Sequence, residues 1–433
     1  MTALVIGLIV ALSALSVPIG FALIAATLAV LLIGGGTTPV VVPLQLFSGA
    51  GKFPLLAIPL FVLAGGMMNS SGISLRIINL ASALVGHIRG GLAMVNVVDS
   101  MFFAEISGSA VADVAALGSI IIPAMVRKGY TPAFTAALTS VTASLAIIIP
   151  PSIPMILYAV MAETSVTRLF LTGFAPGVIG GLLMMAVVYY KAHKYGFPVD
   201  AAFSWSRLAV TFRQAGWTLL LPVIILGGMF GGIVTATEAA GLAVLAAFII
   251  GTFIYREMNF RQLRAVTLDG VVQTASVMMI VAGSAVLGWY LTNEQVPQHL
   301  AQFVLGLTSN RYLVLLFLNV FLLIAGMFLH SAAAILLIVP IVMQLVRQVG
   351  IDPTHFGIIV TLNLAIGQQT PPVASVLLTA CAVAKQPVGK VFHEAIPFII
   401  VLLIVLALVT YVPAIPLFLP NLLQGPQSIS PGP

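Results

Sequence analysis

LAIIIPPSIPMILY, residues Leu145–Tyr158, is apolar enough to lie within a bilayer, yet it carries three prolines. Pro150 and Pro151 are adjacent. Neither can donate a backbone hydrogen bond, and each disfavours helical geometry in the residue before it. The stretch therefore predicts a membrane helix that is broken part-way through. Such a break is tolerated at membrane depth only where it is buried in protein or lines a cavity.

A second double proline, Pro371-Pro372, lies in GQQTPPVASVLL (Gly367–Leu378). It follows Pro150-Pro151 by the same number of residues by which Pro353 follows Pro132. The chain therefore contains an internal repeat whose two halves each hold a broken helix. Paired broken helices in corresponding halves indicate the binding site of a secondary transporter.

The composition places the chain in a membrane. It is 61% hydrophobic and only 6% charged, with a mean hydropathy of +1.18, whereas soluble domains carry about 25% charged residues. We predict an all-α polytopic membrane protein. The basic residues stand at the ends of apolar segments, where topology signals occur, so the net charge of +6 does not indicate nucleic-acid binding.

Two stretches are too long and too interrupted to be single spans. Residues 94–127 have basic residues on both flanks and a polar tip at Ser107–Ser109, which predicts a re-entrant hairpin. Residues 312–348 repeat the pattern around Gly326–Ser331. The predicted bounds are a first repeat at 1–195 with its broken helix at 132–162, a linker at 196–216, a second repeat at 217–423 with its broken helix at 353–383, and a polar tail at 424–433.

Charge placement predicts that the two repeats are inverted. Residues 1–51 contain no Lys or Arg, whereas two spans of the second half lie between basic segments, the later one containing Arg256, Arg261 and Arg264. The positive-inside rule makes those segments cytoplasmic, so the first repeat begins outside and the second inside. Arg311 and Arg347 fit this orientation less well.

The predicted breaks and tips provide free helix ends. Helix N-termini favour a carboxylate, and exposed carbonyls favour Na⁺, a hard cation that prefers oxygen ligands. His330 at the second tip either binds substrate or makes a structural hydrogen bond, and a serine or threonine away from the tips, such as Thr139, more often joins helices. The small oxygen-bearing side chains at these places are Ser107, Ser109, Thr139, Thr142, Ser144 and Ser152, and then Ser331, Asn363, Gln368, Gln369, Thr370 and Ser375.

Several long motifs resemble those of one family. The chain is similar over nearly its whole length to the large membrane subunit of TRAP transporters, the tripartite ATP-independent periplasmic systems. It departs from the family at Ala236, where proline is usual. The motifs are FPLLAIPLFVLAGGMM (53–68), SGSAVADVAALGSIIIPAMVRKGY (107–130), LAIIIPPSIPMILY (145–158), GGIVTATEAAG (231–241) and QTPPVASVLL (369–378).

The resemblance implies Na⁺-coupled uptake, in the bacterial inner membrane, of an organic anion such as a C4-dicarboxylate or sialic acid, with two or more Na⁺ ions. It implies two partners, a small four-helix membrane subunit and a periplasmic substrate-binding protein. It also implies an elevator, in which the hairpins and broken helices carry substrate past a scaffold. Separately, the sequence shows no nucleophile–base signature, HExxH motif or metal-ligand cluster, so we expect no enzymatic activity.

The site residues follow from the free helix ends and from this resemblance together. For substrate they are Ser109, Ser152, His330, Ser331 and Thr370. For Na⁺, held partly by backbone carbonyls, they are Ser107, Gly108, Ser109, Thr142, Pro150, Gly326, Asn363, Gly367, Gln369 and Thr370.

Two other functions stay open at this point. A stand-alone Na⁺/dicarboxylate symporter of related fold would share the inverted repeat and need no partner subunits. An intramembrane enzyme would use Asp99, Glu105 or Asp113, although a symmetric repeat argues against a single catalytic centre.

Overall fold

The computed structural model describes residues 1–34, 38–107, 109–200 and 202–426, with the backbone alone for residues 103–107. The described chain is almost entirely helical, apart from one isolated β-bridge between Arg89 and Val199. It contains ten helices that are long and apolar enough to cross a membrane. The predicted class, an all-α polytopic membrane protein, is confirmed.

The first repeat brings its apolar segments into eleven labelled helices and one 3₁₀ turn, Phe53–Leu56. The helices are α1 (Thr2–Ala14), α2 (Ile19–Gly34), α3 (Val41–Ala50), α4 (Ala57–Ser70), α5 (Ile73–Val85), α6 (Gly91–Ser107), α7 (Ala110–Arg127), α8 (Pro132–Ala143), α9 (Leu145–Ile148), α10 (Ile153–Ala162) and α11 (Val166–Tyr195).

The second repeat follows the same order, with π-helical turns at Val223–Gly227 and Ile250–Ile254. Its helices are α12 (Trp205–Pro222), α13 (Gly228–Phe230), α14 (Ala236–Ile249), α15 (Phe260–Asn293), α16 (Val296–Leu307), α17 (Arg311–Phe328), α18 (Ser331–Gln348), α19 (Pro353–Gly367), α20 (Ser375–Ala384), α21 (Val388–Tyr411) and α22 (Ala414–Gln424).

Two segments differ from the predicted bounds. The linker expected at 196–216 is helical from Trp205, because the Ser204 hydroxyl accepts a hydrogen bond from the Arg207 backbone amide at 3.4 Å and caps the helix. The second repeat, predicted to end at 423, closes with α21, which ends at Tyr411, and with a separate helix after Pro413, α22, which continues to Gln424. Of the expected polar tail, residues 427–433 lie outside the described residues.

Each hairpin packs against the broken helix of its own repeat and against that of the other repeat. In the first hairpin, α7 packs against α8 of its own repeat and α20 of the other. In the second, α18 packs against α19 of its own repeat and α10 of the other. The long helices cross over in the same way, α21 against α8 and α11 against α19. These reciprocal contacts are those of an inverted repeat.

Burial separates a central group of helices from an outer one. The broken helix Pro132–Ala162 is 89% buried over its most apolar window, whereas the span Trp205–Phe230 is only 22% buried. The central group is formed by the hairpins, the broken helices, α11 and α21. In the outer group, α4 packs against α14, and α15 packs against α2, α3 and α4.

Candidate functional site

The first break is stabilised by hydrogen bonds of the Ser152 side chain. Helix α9 ends at Ile148, and the cis-linked Pro150-Pro151 pair follows. Ser152 then caps α10, accepting from the Met155 amide at 3.5 Å and donating its hydroxyl to the Ile147 carbonyl at 2.7 Å. That carbonyl would otherwise lack an intrahelical partner. The break is fully buried.

The second break is more open. Pro371-Pro372 is also cis, and Ala374 has a left-handed φ of 46°. The Val376 amide reaches back across the break to the Gln368 carbonyl at 3.2 Å, and the Val373 amide donates to the Met327 carbonyl of the second hairpin at 3.3 Å. Because Val373 is 42% exposed, this break differs from its buried counterpart.

A cavity of about 270 Å³ lies where the two hairpin tips, the two broken helices and the outer group meet. One wall is formed by the tips, with Ser109 and Ala110 from the first and His330, Ser331 and Ala332 from the second. Its remaining lining comes from the breaks and from α4 and α15, namely Ile147, Ile153, Pro154, Gln368, Val62, Val272, Gln273, Ser276 and Val277.

Three helices begin at this cavity. Helix α7 starts after Ser109, α18 after His330, and α10 at Ile153. Unpaired amides and the positive end of the helix dipole make such N-termini favourable for an anion. None of the described residues that line the cavity is charged. Its electrostatic preference therefore comes from backbone rather than from lysine or arginine.

Each repeat holds its hairpin to its broken helix by a buried polar pair. In the first, the Asn96 amide donates to the Thr139 hydroxyl at 2.7 Å, and the Thr142 hydroxyl donates to the Asn96 carbonyl oxygen at 3.3 Å. In the second, the Asn363 amide donates to the side-chain oxygen of Asn319 at 2.7 Å. Asn363 follows Thr142 by the repeat offset, so the two pairs are equivalent.

Asn363 has one side-chain atom with no hydrogen-bond partner among the described residues. Its Oδ1 is buried, while its Nδ2 also donates to the Ile359 carbonyl at 2.8 Å. A buried amide oxygen without a donor costs free energy. An oxygen of this kind is the ligand that a hard cation prefers.

Gln369, by contrast, is engaged across the interface between repeats. Its amide nitrogen donates to the Ser140 carbonyl at 2.8 Å and to the Ser144 hydroxyl at 2.7 Å, and its oxygen accepts from the Ser140 hydroxyl. Ser144 in turn donates to the carbonyl of Ala365 at 3.3 Å. Ala365 is the residue of the second repeat that corresponds to Ser144, so the two broken helices meet at matching positions.

The two glycines predicted near the second tip face each other. A Cβ on Gly367 would lie 2.5 Å from the backbone carbon of Gly326. Their contact lets α17 approach α19 closely, because no side chain separates them. This packing role is visible in the structure, whereas ion binding by their carbonyls stays a prediction.

The predicted substrate residues divide into two groups. Ser109, His330 and Ser331 line the cavity together. Ser152 is buried in its cap, and the Thr370 hydroxyl donates to the Ile366 carbonyl at 3.1 Å, so neither lines it.

Among the predicted ion ligands, Pro150 and Thr142 are buried near the first break, while Gly108 and the side chain of Ser107 lie outside the described residues. Sequence reasoning missed Gln273 and Ser276 on α15. No proline marks that helix, and only polar residues within an apolar span could have signalled them.

Asp99 and Asp113 lie outside the lining of the cavity. Asp99 is buried and neither of its carboxylate oxygens has a hydrogen-bond partner in the described chain. Asp113 lies in the first turn of α7, where a carboxylate stabilises the helix N-terminus. The side chain of Glu105 lies outside the described residues.

Comparison with known proteins identifies relatives along nearly the whole chain. Residues 6–415 match the family model described as the tripartite ATP-independent periplasmic transporter, DctM component. The chain is 43% identical to the C4-dicarboxylate TRAP transporter large permease protein DctM of Pseudomonas aeruginosa, over 87% of this chain and 88% of that protein. It is 38% identical to the sialic acid TRAP transporter large permease protein SiaM of Vibrio cholerae, over 94% and 96%.

Two further similarities concern length and fold. The isethionate TRAP transporter permease protein DctMQ of Oleidesulfovibrio alaskensis is 41% identical over 93% of this chain, and the chain spans only 64% of that protein. The crystal structure of the YdaH transporter of Alcanivorax borkumensis superimposes with a TM-score of 0.58 at 16% identity, covering 85% of this chain and 87% of that one. This second similarity shows a shared fold alone.

Proposed function

The chain belongs to the DctM component family of tripartite ATP-independent periplasmic transporters, as the large multi-pass permease of the bacterial inner membrane. From that premise we propose that it carries out Na⁺-coupled uptake of an organic anion by an elevator mechanism. We propose that a periplasmic substrate-binding protein delivers the anion and that a small four-helix membrane subunit completes the scaffold.

The observation that carries the proposal is the cavity at the hairpin tips. Three helix N-termini open onto it and no charged side chain lines its described part. A carboxylate placed there is bound by amides and hydroxyls, including Ser331, and needs no counter-charge. Binding of this moderate strength suits a carrier, which must release its substrate on the other side.

The cavity also lies at the boundary between the two groups of helices. Val62, Gln273 and Ser276 come from the outer group, and the other walls come from the hairpins and breaks of the central group. If the central group slides as a body past α4 and α15, the bound anion moves with it. This division supports the elevator.

Na⁺ fits the second repeat best at Asn363, whose Oδ1 is buried without a donor. The backbone around Gly367 and Thr370 lies at the end of the same broken helix. A bound Na⁺ ion would supply positive charge close to the anion site. We also propose that Na⁺ binds near the first break, at Ser109 and Pro150.

The substrate class rests on the relatives. Their names specify a C4-dicarboxylate, sialic acid and isethionate, which share a small anionic group on a polar body. The cavity lining does not choose among them, since its polar groups are uncharged hydroxyls, amides and one imidazole. In a tripartite system the binding protein makes most of that choice.

Transport in proteoliposomes tests the proposal. The chain is reconstituted with and without the small subunit, and radiolabelled substrate is added with and without the binding protein under an inward Na⁺ gradient. Uptake is expected only with all components and the gradient. Uptake by the chain alone would instead establish a stand-alone symporter.

A serine pair tests the anion site. Ser331→Ala should raise the substrate KM about tenfold, because a hydrogen bond to a charged group contributes about 1.5 kcal/mol or more. Ser119→Ala is the matched control, since Ser119 is exposed on α7 and donates only to the Ala116 carbonyl. Equal KM values in the two variants would remove Ser331 from the site.

An asparagine pair tests the ion site. Asn363→Ala should raise the Na⁺ concentration needed for half-maximal uptake. Asn319→Ala removes the same Asn319–Asn363 hydrogen bond but keeps the Asn363 oxygen, so it should change Na⁺ dependence much less. If both variants shift Na⁺ dependence equally, the effect comes from the lost hydrogen bond and Asn363 is not a ligand.

A further inference from the structure

A groove of about 640 Å³ lies between α11 and α21, away from the substrate cavity. One end is polar and aromatic, and the rest is apolar. Its lining at the polar end is Tyr190, Lys191, Lys194, Tyr195, His393 and Glu394.

The two lysines of the polar end differ in their partners. Lys191 pairs with Glu394 at 2.6 Å, and its ammonium lies 5.3 Å from the centre of the Phe134 ring and 5.5 Å from that of Phe398. Lys194 lies over the Tyr195 ring at 5.7 Å and has no carboxylate within 4.0 Å in the described chain. The polar end therefore keeps an excess positive charge.

The apolar part runs along both helices. It is lined by Leu183, Ala186 and Val187 of α11 and by Pro397, Val401 and Ile404 of α21. With a rise of 1.5 Å per residue, the groove extends about 12 Å from Lys191 to Leu183 and about 16 Å from His393 to Ile404. One leaflet of the hydrocarbon core is about 15 Å deep, so the groove matches the depth of a single leaflet.

The positive-inside rule assigns the polar end to the cytoplasmic surface. The Lys191–Glu394 ion pair places the last turns of α11 beside the first turns of α21. Basic residues at the end of α11 (Lys191, Lys194) and in α12 (Arg207, Arg213) are those that the positive-inside rule assigns to the cytoplasm. Tyr190 and Tyr195 are 68% and 53% exposed, as is common for tyrosines at the membrane surface. The cytoplasmic leaflet is also the one that carries anionic lipids.

We propose that this groove binds an anionic phospholipid of the cytoplasmic leaflet. The phosphate lies at Lys194 beside the Lys191–Glu394 pair, and one acyl chain lies between α11 and α21. The length and apolarity of the groove favour a lipid over a soluble anion, because a free phosphate would leave the strip from Ala186 to Ile404 unfilled. The lipid bridges two long helices of the central group, and the proposal does not depend on the substrate or the coupling ion.

The test uses the full chain in dodecyl maltoside and measures melting temperature against lipid concentration. Phosphatidylglycerol should stabilise the protein, while phosphatidylcholine and inorganic phosphate should not. Lys194→Gln should weaken the apparent affinity about fivefold, the factor expected for one lysine beside anionic lipid. Ala186→Trp fills the apolar strip and should abolish the stabilisation.

Two variants serve as matched controls. Lys390→Gln removes an exposed lysine of α21 that does not line the groove, and Ala407→Trp adds an indole at an exposed alanine of α21 outside it. Both should behave as wild type. Equal stabilisation by phosphatidylcholine or inorganic phosphate would overturn the proposal. So would losses in the two controls as large as those in Lys194→Gln and Ala186→Trp.

Discussion

Replacement of Gln369 by alanine should destabilise the protein by separating its two repeats. Gln369 is fully buried and makes three hydrogen bonds to Ser140 and Ser144 of the other repeat. In Gln369→Ala the Ser140 hydroxyl and carbonyl lose these partners. The Ser144 hydroxyl keeps its bond to the Ala365 carbonyl.

The size of the loss follows from these contacts. Side-chain hydrogen bonds inside a bilayer average about 0.6 kcal/mol each, and a buried polar group left without a partner costs about 1–3 kcal/mol. Three lost bonds and the Ser140 hydroxyl left unpaired together give about 3–5 kcal/mol. Gln368→Ala is the matched control, because its amide donates only to the Leu364 carbonyl of its own helix and its oxygen accepts one long bond from Ser375. It should lose about 1 kcal/mol or less.

The assay is unfolding in mixed micelles by titration with sodium dodecyl sulfate, followed by circular dichroism. Gln368 lines the cavity, so Gln368→Ala should instead raise the substrate KM in proteoliposomes. The two neighbouring glutamines are thus expected to show opposite phenotypes. Equal free energies of unfolding in the two variants would show that Gln369 does not hold the repeats together.

Two further predictions concern stability. Gly367→Ala should abolish folding or lower expression strongly, because its Cβ would lie 2.5 Å from the Gly326 backbone, whereas Gly389→Ala, with nothing within 4 Å, should express normally. Arg76 donates to Glu257 at 2.6 Å and lowers the pKa of that carboxyl below its ordinary value of 4.5. The Arg76–Glu257 ion pair therefore stabilises the protein fully above pH 4.5, and this stabilisation is lost as the pH falls through the lowered pKa. Because the pair is partly exposed, the loss should stay below about 1 kcal/mol. When the melting temperature is measured against pH, Glu257→Gln should remove this fall at acid pH.

The backbone of the site was predictable because prolines and glycines act locally. Pro150-Pro151 and Pro371-Pro372 cannot continue a helix whatever surrounds them, and both breaks are present. Helix α16, Val296–Leu307, also follows from local signals. Its apolar pattern is flanked by Pro297 near the start and by a polar residue, Thr308, at the end.

The side-chain partners were not predictable, because they depend on which faces of distant helices meet. The sequence offers Gln368 and Gln369 as equivalent candidates. Only the folded structure shows that Gln369 bonds to Ser140 and Ser144 of the other repeat while Gln368 lines the cavity. Gln273 was missed for the same reason. The start of α12 at Trp205 was missed for a local one, since Arg207 and Arg213 made a capped helix resemble a polar linker.

The repeat is symmetric in backbone and asymmetric in chemistry, and the asymmetry bears on how two ions would bind. The Thr142 hydroxyl accepts from Ser100 at 3.0 Å and itself donates to oxygens within its own repeat. Its equivalent, Asn363, keeps a buried oxygen without a donor. Two sites built on such different groups should differ in Na⁺ affinity. We therefore expect Asn363→Ala to weaken Na⁺ activation more than Thr142→Ala, whereas equivalent sites would require equal effects.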